Sequence, residues 1–305
     1  MHRIGQINPM GKIRIILGLI RFPFLLLTPC CMSVGVATGF REAQTVDWGY
    51  LFLAFLGGLS AHLSVNALNE YLDYRSGLDT KTQKTLFSGG SGGLTQCPQM
   101  APVALGLALG GLVVTIAIGI FFLFTRGIWL LPIGALGILT IIAYTPWITR
   151  HFWICLFAPG IGFGTCMVLG THFVITGSYS WTALAASFVP FFLVNDLLLL
   201  NQFPDVEPDR EVGRRHFVIV FGRKKSAKVY GLFLLLVYTW IFGGILAGLF
   251  PKGTSLAFFT FIPALLAIRG VLKNAEDVAR LIPFMKINVA LNLFTPLLFA
   301  IGFWV

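Results

Sequence analysis

The sequence predicts an all-α, polytopic membrane bundle of about nine transmembrane helices, arranged as two similar four-helix units plus one extra span. Of 305 residues, 56% are hydrophobic and only 11% are charged, and mean hydropathy is +0.84. A chain of this composition cannot hide its apolar residues in one soluble core, so the bilayer has to be part of its solvent. The apolar residues also fall in runs of about 20, the length that crosses a hydrocarbon layer as a helix. One polar pattern occurs twice where such runs give out: Asn69, Asp73 and Asp79, then Asn201, Asp205 and Asp209.

Residues 1–14 are polar, with Arg3, Lys12 and Arg14, and form a short amino-terminal segment. The apolar stretch after them is far longer than a cleavable signal core, so the first span is expected to stay in the membrane. In order, the spans run from Ile15 to Gly39, Trp48 to Leu68, Pro102 to Phe124, Trp129 to Trp147, Trp153 to Thr176, Trp181 to Leu200, Ala227 to Phe250, Thr254 to Leu272 and Phe284 to Trp304. The narrowest separation is Pro251-Lys252-Gly253, where Pro and Gly suit a turn. Assigning alternate loops to alternate sides leaves only Arg41, Arg126 and Lys252 on one face and gathers most of the 22 basic residues on the other. The positive-inside rule makes the basic face cytoplasmic, with the amino terminus inside the cell membrane and Val305 outside. Residues 1–305 then read as a single transmembrane domain, with cytoplasmic loops at 69–101 and 201–226 that hold the two acidic cassettes.

The net charge of +10 is scattered over loops between spans, which fits lipid phosphate and excludes nucleic acid as the partner. The five cysteines show no ligand spacing, so neither a disulfide framework nor a zinc site is expected. In the first cassette Asn69 and Asp73, at i and i+4, share one helix face, and Gly77 is placed to end the helix before Asp79. Asn201 and Asp205 repeat that spacing, and Pro204 and Pro208 are expected to loosen the helix and bend Asp205 and Asp209 inward. Carboxylates beside a bilayer are costly unless solvated, paired or holding a cation. Hard divalent cations accept one or two carboxylates together with phosphate oxygens and water, so two facing clusters suit a diphosphate held between metal ions.

Lys81, Lys84, Arg210, Arg214 and Arg215 adjoin the cassettes and suit diphosphate oxygens, although loops on this face are basic in most membrane proteins. The glycine loop from Ser88 to Gly93 offers N–H groups to phosphate, lacks the ending of a P-loop, and serves equally as a lid or linker. His62, His172 and Asp196 are ionisable groups inside spans and so candidates to line a cavity. Asp196 lies about one helical turn from Asn201, where it suits either the same cavity or a structural hydrogen bond to Asn195 or another span. The 29 phenylalanines are mainly packing or lipid-facing residues, some of them suited to an apolar tunnel whose ring faces stabilise a carbocation.

These residues resemble the UbiA superfamily of intramembrane prenyltransferases, whose members carry an Asn- and Asp-rich motif after the second helix and another after the sixth. The stretch from Asn69 to Thr80 is most similar to the 1,4-dihydroxy-2-naphthoate branch and its Asn-Asp-Tyr-x-Asp-x-x-x-Gly-x-Asp, with Glu70 in place of aspartate. Val168 to Gly177, and Gly213-Arg214-Arg215-His216 through Gly222-Arg223, resemble further stretches of that branch. The second motif departs from it at Gln202 and Pro204 and is nearer the homogentisate type.

The resemblance implies a nine-helix bundle with a central cavity opening near the cytoplasmic face. It also implies Mg²⁺ bridging a polyprenyl diphosphate to both motifs, through Asp73, Asp79, Asp205 and Asp209 with Asn69 and Asn201 completing the catalytic set. Tyr144 and Arg150 match a Tyr-and-basic pair that approaches substrate. The activity implied is prenyl transfer to an aromatic quinone precursor resembling 1,4-dihydroxy-2-naphthoate, in menaquinone or related quinone or lipid biosynthesis. Homogentisate, 4-hydroxybenzoate and tetrapyrrole acceptors are the alternatives. A cation-coupled transporter is the rival class, but transporters place carboxylates near the midplane of inverted repeats, whereas these cassettes lie at one face on carriers running in the same direction.

Overall fold

The computed structural model describes residues 9–43, 45–82 and 88–305, and among them there is no strand, only an isolated bridge between Phe152 and His216. Helix α1 (Pro9–Leu19) leads into a break at Ile20 and Arg21, where Arg21 takes a left-handed conformation with φ 48°. A 3₁₀ turn (Phe22–Leu26) then enters α2 (Leu27–Glu42). The expected first span, Ile15 to Gly39, is therefore interrupted. Pro23 removes a backbone donor at the break, and the Arg21 guanidinium is drawn inward to Asn69 and Glu70.

Helix α3 (Trp48–Arg75) starts under an Asp47 cap that accepts the Tyr50 N–H. It stops at Gly77, which takes φ 77° at little steric cost. After the short α4 (Gly93–Gln96) come α5 (Ala101–Thr125) and α6 (Leu131–Ala143). Helices α7 (Phe152–Pro159) and α8 (Met167–Thr176) are joined by a π-helical segment, Gly160–Cys166. Helix α9 (Trp181–Asn201) is capped by Ser180, and the short α10 (Val206–Glu211) and α11 (Phe217–Phe221) follow. The bundle closes with α12 (Arg223–Leu246), α13 (Phe261–Asn274) and α14 (Val278–Ile301).

Among the described residues, eight helical stretches are long and apolar enough to cross a membrane. The exception among the expected spans is Trp129 to Trp147, which forms a shorter apolar helix, Ile128–Ala143, because the chain turns at Tyr144 ahead of Pro146. At about 1.5 Å per residue that helix falls short of a hydrocarbon layer of about 30 Å.

Helix α9 is the buried axis: Ala186, Val189, Leu193 and Leu200 are inaccessible. It approaches the π-helical segment so closely that a Cβ on Gly164 would lie 2.5 Å from the backbone of Phe191. On the outside, α5 buries only Ala104, Ala108 and Phe122, as expected of a helix that faces lipid. Exposed Trp48, Trp129, Trp181 and Trp304 mark one end of the bundle and Trp147 and Trp153 the other, the positions that membrane interfaces favour.

Candidate active site

A cavity of about 730 Å³ runs through the bundle. Its lining includes both Ala54 and Asp73 of α3, which at 1.5 Å per residue are about 28 Å apart along the helix. The deep part is apolar, with Met32, Ala54, Phe122, Leu130, Phe163 and Val174. At the other end all six cassette residues, Asn69, Asp73, Asp79, Asn201, Asp205 and Asp209, line the same space.

Local sequence explains that convergence. Asn69 and Asp73 are one turn apart on α3, and the Asn69 Nδ2 donates to Asp73 Oδ2 at 3.0 Å and to Thr145 Oγ1 at 3.1 Å. Helix α9 ends at Asn201, ahead of Pro204, so the chain turns and re-enters a helix at Val206, with Asp209 buried on its inner side. Gly213, at φ 82°, then turns the chain back, and the Arg215 N–H bonds the Thr149 carbonyl at 2.9 Å. This turn aims Arg214 between the cassettes, where its guanidinium donates to Asp209 Oδ1 at 2.9 Å and to Asp73. The His216 Nε2 meets Asp209 Oδ2 at 3.0 Å.

Of the expected diphosphate-binding residues, Arg214 and Tyr144 line the cavity. Arg150, Arg210 and Arg215 are exposed and outside its lining. Lys81 is turned to Glu211 at 2.9 Å in an exposed pair, and Lys84 lies outside the described residues. His62 lines the cavity and shares a hydrogen bond of 2.9 Å with Thr28. His172 bonds Thr38 at 3.0 Å away from it, and Asp196 is fully buried outside the lining.

Arg21, Gln202 and His216 also line this end of the cavity, and Glu70 is buried beside it. Arg21 lies inside the expected first span, and an arginine in an apolar run is itself a signal. It donates to Glu70 Oε1 through Nε (3.1 Å) and Nη2 (3.0 Å), and to Asn69 Oδ1 at 3.0 Å. Glu70, Gln202 and His216 stand within the motif stretches, where the sequence marks their positions but not their roles.

The cassette side chains facing the cavity offer oxygen ligands, the kind a hard cation prefers. Burial, and then the neighbouring Asp209 carboxylate, push the Asp205 carboxyl up to about 7, against the opposing pull of the Gly89 N–H and Arg214. A raised carboxyl is what an anionic group shows when positive charge is wanting. Among the described residues no three His, Cys, Asp or Glu side chains form a closed metal cage. A cation in this space would have to take its remaining ligands from phosphate or water.

The pattern of the UbiA prenyltransferase family matches residues 27–290. The chain belongs to this family. A relative within reach of direct alignment is the 1,4-dihydroxy-2-naphthoate octaprenyltransferase of Bacillus subtilis (strain 168), 28% identical over 263 residues that cover 83% of this chain and 80% of that one. Among solved structures, the UbiA homolog of Aeropyrum pernix K1 superposes with TM-score 0.68 at 15% identity, covering 93% of this chain and 97% of that one. A UbiA homolog of Archaeoglobus fulgidus, solved bound to GPP and Mg²⁺, gives TM-score 0.56 at 12% identity, over 93% and 99%. At these identities the superpositions show a shared fold, and the family is an intramembrane prenyltransferase one.

Proposed function

We propose that this UbiA-family enzyme transfers a prenyl group, with Mg²⁺, from a polyprenyl diphosphate to an aromatic quinone precursor of the 1,4-dihydroxy-2-naphthoate kind. The observation that carries this reading is the convergence of both acidic cassettes on the polar end of one long apolar cavity. The naphthoate-using relative supports the acceptor class, and the GPP- and Mg²⁺-bound homolog supports the donor and the cation. We place the polar end on the cytoplasmic face of the cell membrane, with the amino terminus inside and the whole chain acting as one catalytic domain.

Asp73, Asp79, Asp205 and Asp209 would hold the cation, directly or through water, with Asn69 and Asn201 orienting the carboxylates or the diphosphate. Bound there, Mg²⁺ neutralises the diphosphate as it departs. Arg214, already between the cassettes, supplies fixed positive charge where the leaving group gathers electrons. The apolar cavity takes the polyprenyl tail and excludes water. The allylic C–O bond breaks, a ring carbon of the acceptor forms the new C–C bond, and the ring loses a proton as diphosphate leaves. The test is purified protein in lipid nanodiscs, offered geranylgeranyl and longer diphosphates with a panel of quinone-precursor acceptors and read by product mass. Transfer to the naphthoate with Mg²⁺ and none with chelator is expected; transfer confined to another acceptor class refutes the acceptor assignment.

A further inference from the structure

Glu70 is fully buried beside the polar end, yet it is not part of the cavity lining. Its carboxylate is occupied on all sides. Oε1 accepts Arg21 Nε at 3.1 Å and Nη2 at 3.0 Å. The Ser91 N–H straddles Oε1 and Oε2 at 2.9 and 3.0 Å, and Ser91 Oγ donates to Oε2 at 2.7 Å. Ser91 Oγ in turn accepts the Gly93 N–H at 3.1 Å. A carboxylate so engaged presents nothing to a cation. Its bonds instead fasten the glycine loop.

Downstream the loop is anchored by α4, whose Leu94 is inaccessible and packs with Leu19 and Met100. Upstream it lies across the cassettes: the Gly89 N–H donates to Asp205 Oδ2 at 3.3 Å, and Gly90 sits so tightly, at φ 68°, that a Cβ would fall 2.8 Å from Asp79 Oδ1. Gly89 and Gly90 both line the cavity. We propose that Glu70 is a positioning residue, the clasp that seats the Ser88–Gly93 loop across both acidic cassettes. Aspartate, the residue the UbiA motif favours here, is one methylene shorter. In this chain the longer side chain is what spans from α3 to both Arg21 and Ser91.

The decisive measurement is hydrogen exchange on the full chain in detergent, following peptides that cover residues 88–96, in wild type, Glu70→Gln, Glu70→Asp and Gly90→Ala. Losing bonds to a charged acceptor is expected to speed exchange of these peptides about tenfold or more in both Glu70 variants, while α9 and α14 keep wild-type protection. Gly90→Ala keeps the Glu70 carboxylate but sets a methyl 2.8 Å from Asp79 Oδ1 and 3.5 Å from Glu70 Oε1, and it is expected to speed the same peptides. Unchanged exchange in Glu70→Gln overturns the proposal; if that variant does not fold, unchanged exchange in Glu70→Asp overturns it. A second arm rests on the prenyl-transfer reading. There KM for the prenyl diphosphate is expected to rise about tenfold with kcat held within about threefold, as for lost positioning of the bound substrate. A loop that opens as expected in a protein that transfers no prenyl group would sink the activity and leave the clasp standing.

Discussion

Replacing Arg214 by alanine tests the central electrostatic contact of the site. The guanidinium bridges Asp73 on α3 and Asp209 on α10, with side-chain exposures of 14%, 10% and 5% respectively. Removing one partner of so buried a set leaves like charges facing each other, which costs about 3–5 kcal/mol. For a chain of this size each kcal/mol moves the melting point by about 2 °C, so Arg214→Ala in chelator should melt about 6–10 °C below wild type. A divalent cation that binds the bared carboxylates should reverse much of this, because a ligand at about 100 times its Kd returns about 2.7 kcal/mol. The assay is thermal unfolding of the detergent-solubilised variant in EDTA, Mg²⁺ and NaCl of equal ionic strength. Melting at the wild-type temperature in EDTA, or equal recovery in NaCl, would refute the reasoning, since simple screening would then suffice. Activity should stay at least about 100-fold down in saturating Mg²⁺, as expected when a preorganised charge at the leaving group is lost.

Asp73→Asn and Asp205→Asn should each lower prenyl transfer about 100-fold or more at fixed Mg²⁺, as loss of a metal ligand does, and undiminished turnover in either rules out its assigned role. Burial and the Asp209 carboxylate push the Asp205 carboxyl up to about 7, so protons should compete with the proposed cation below that pH. Mg²⁺ affinity, read by calorimetry, should fall about tenfold per pH unit on the acid side of 7 and flatten in Asp205→Asn. Because this folded-state value is raised, the cation-free protein gains stability from the bound proton at low pH and loses it as pH climbs from about 4 to about 7, which a melting series in chelator would show. Gly164→Ala forces a methyl into the Phe191 backbone and should cost about 1–3 kcal/mol by overpacking; an unchanged melting point would show that α9 can shift freely.

The membrane class, the order of the helices and the pairing of the cassettes were legible because each leaves a one-dimensional trace: apolar run length, loop charge, and Asn-to-Asp spacing at i and i+4. Gly77 was readable as a helix end because only a left-handed residue fits there. Arg21 was not, because a run of apolar neighbours conceals that the helix breaks at that residue to deliver a guanidinium 48 positions ahead to Asn69. The separation of Arg214 from Arg210 and Arg215 was equally hidden. All three are basic and fall within six positions, and the turn at Gly213 decides which one faces inward. The shortness of Ile128–Ala143 depends on where the chain turns at Tyr144, a backbone event that hydropathy does not register.

The charge balance at the polar end links these details to function. Glu70 occupies Arg21 and the loop serine, so Arg21 is largely neutralised where it stands. Among the described residues, Asp73, Asp79, Asp205 and Asp209 face the cavity, and Arg214 bridges Asp73 and Asp209. In the low dielectric of a membrane bundle a buried carboxylate is eased by a proton or by a bound cation. Burial and the Asp209 carboxylate push the Asp205 carboxyl up, which favours its proton, and on the proposed function a divalent ion arriving with phosphate oxygens would supply the alternative. On the proposed function, such a site should hold its metal poorly without an anionic substrate and tightly with one, so each should raise the apparent affinity of the other by the same factor. Calorimetric titration of Mg²⁺ with and without a non-hydrolysable prenyl diphosphate measures that factor directly, and a value of one would mean that cation and diphosphate bind independently rather than as a pair.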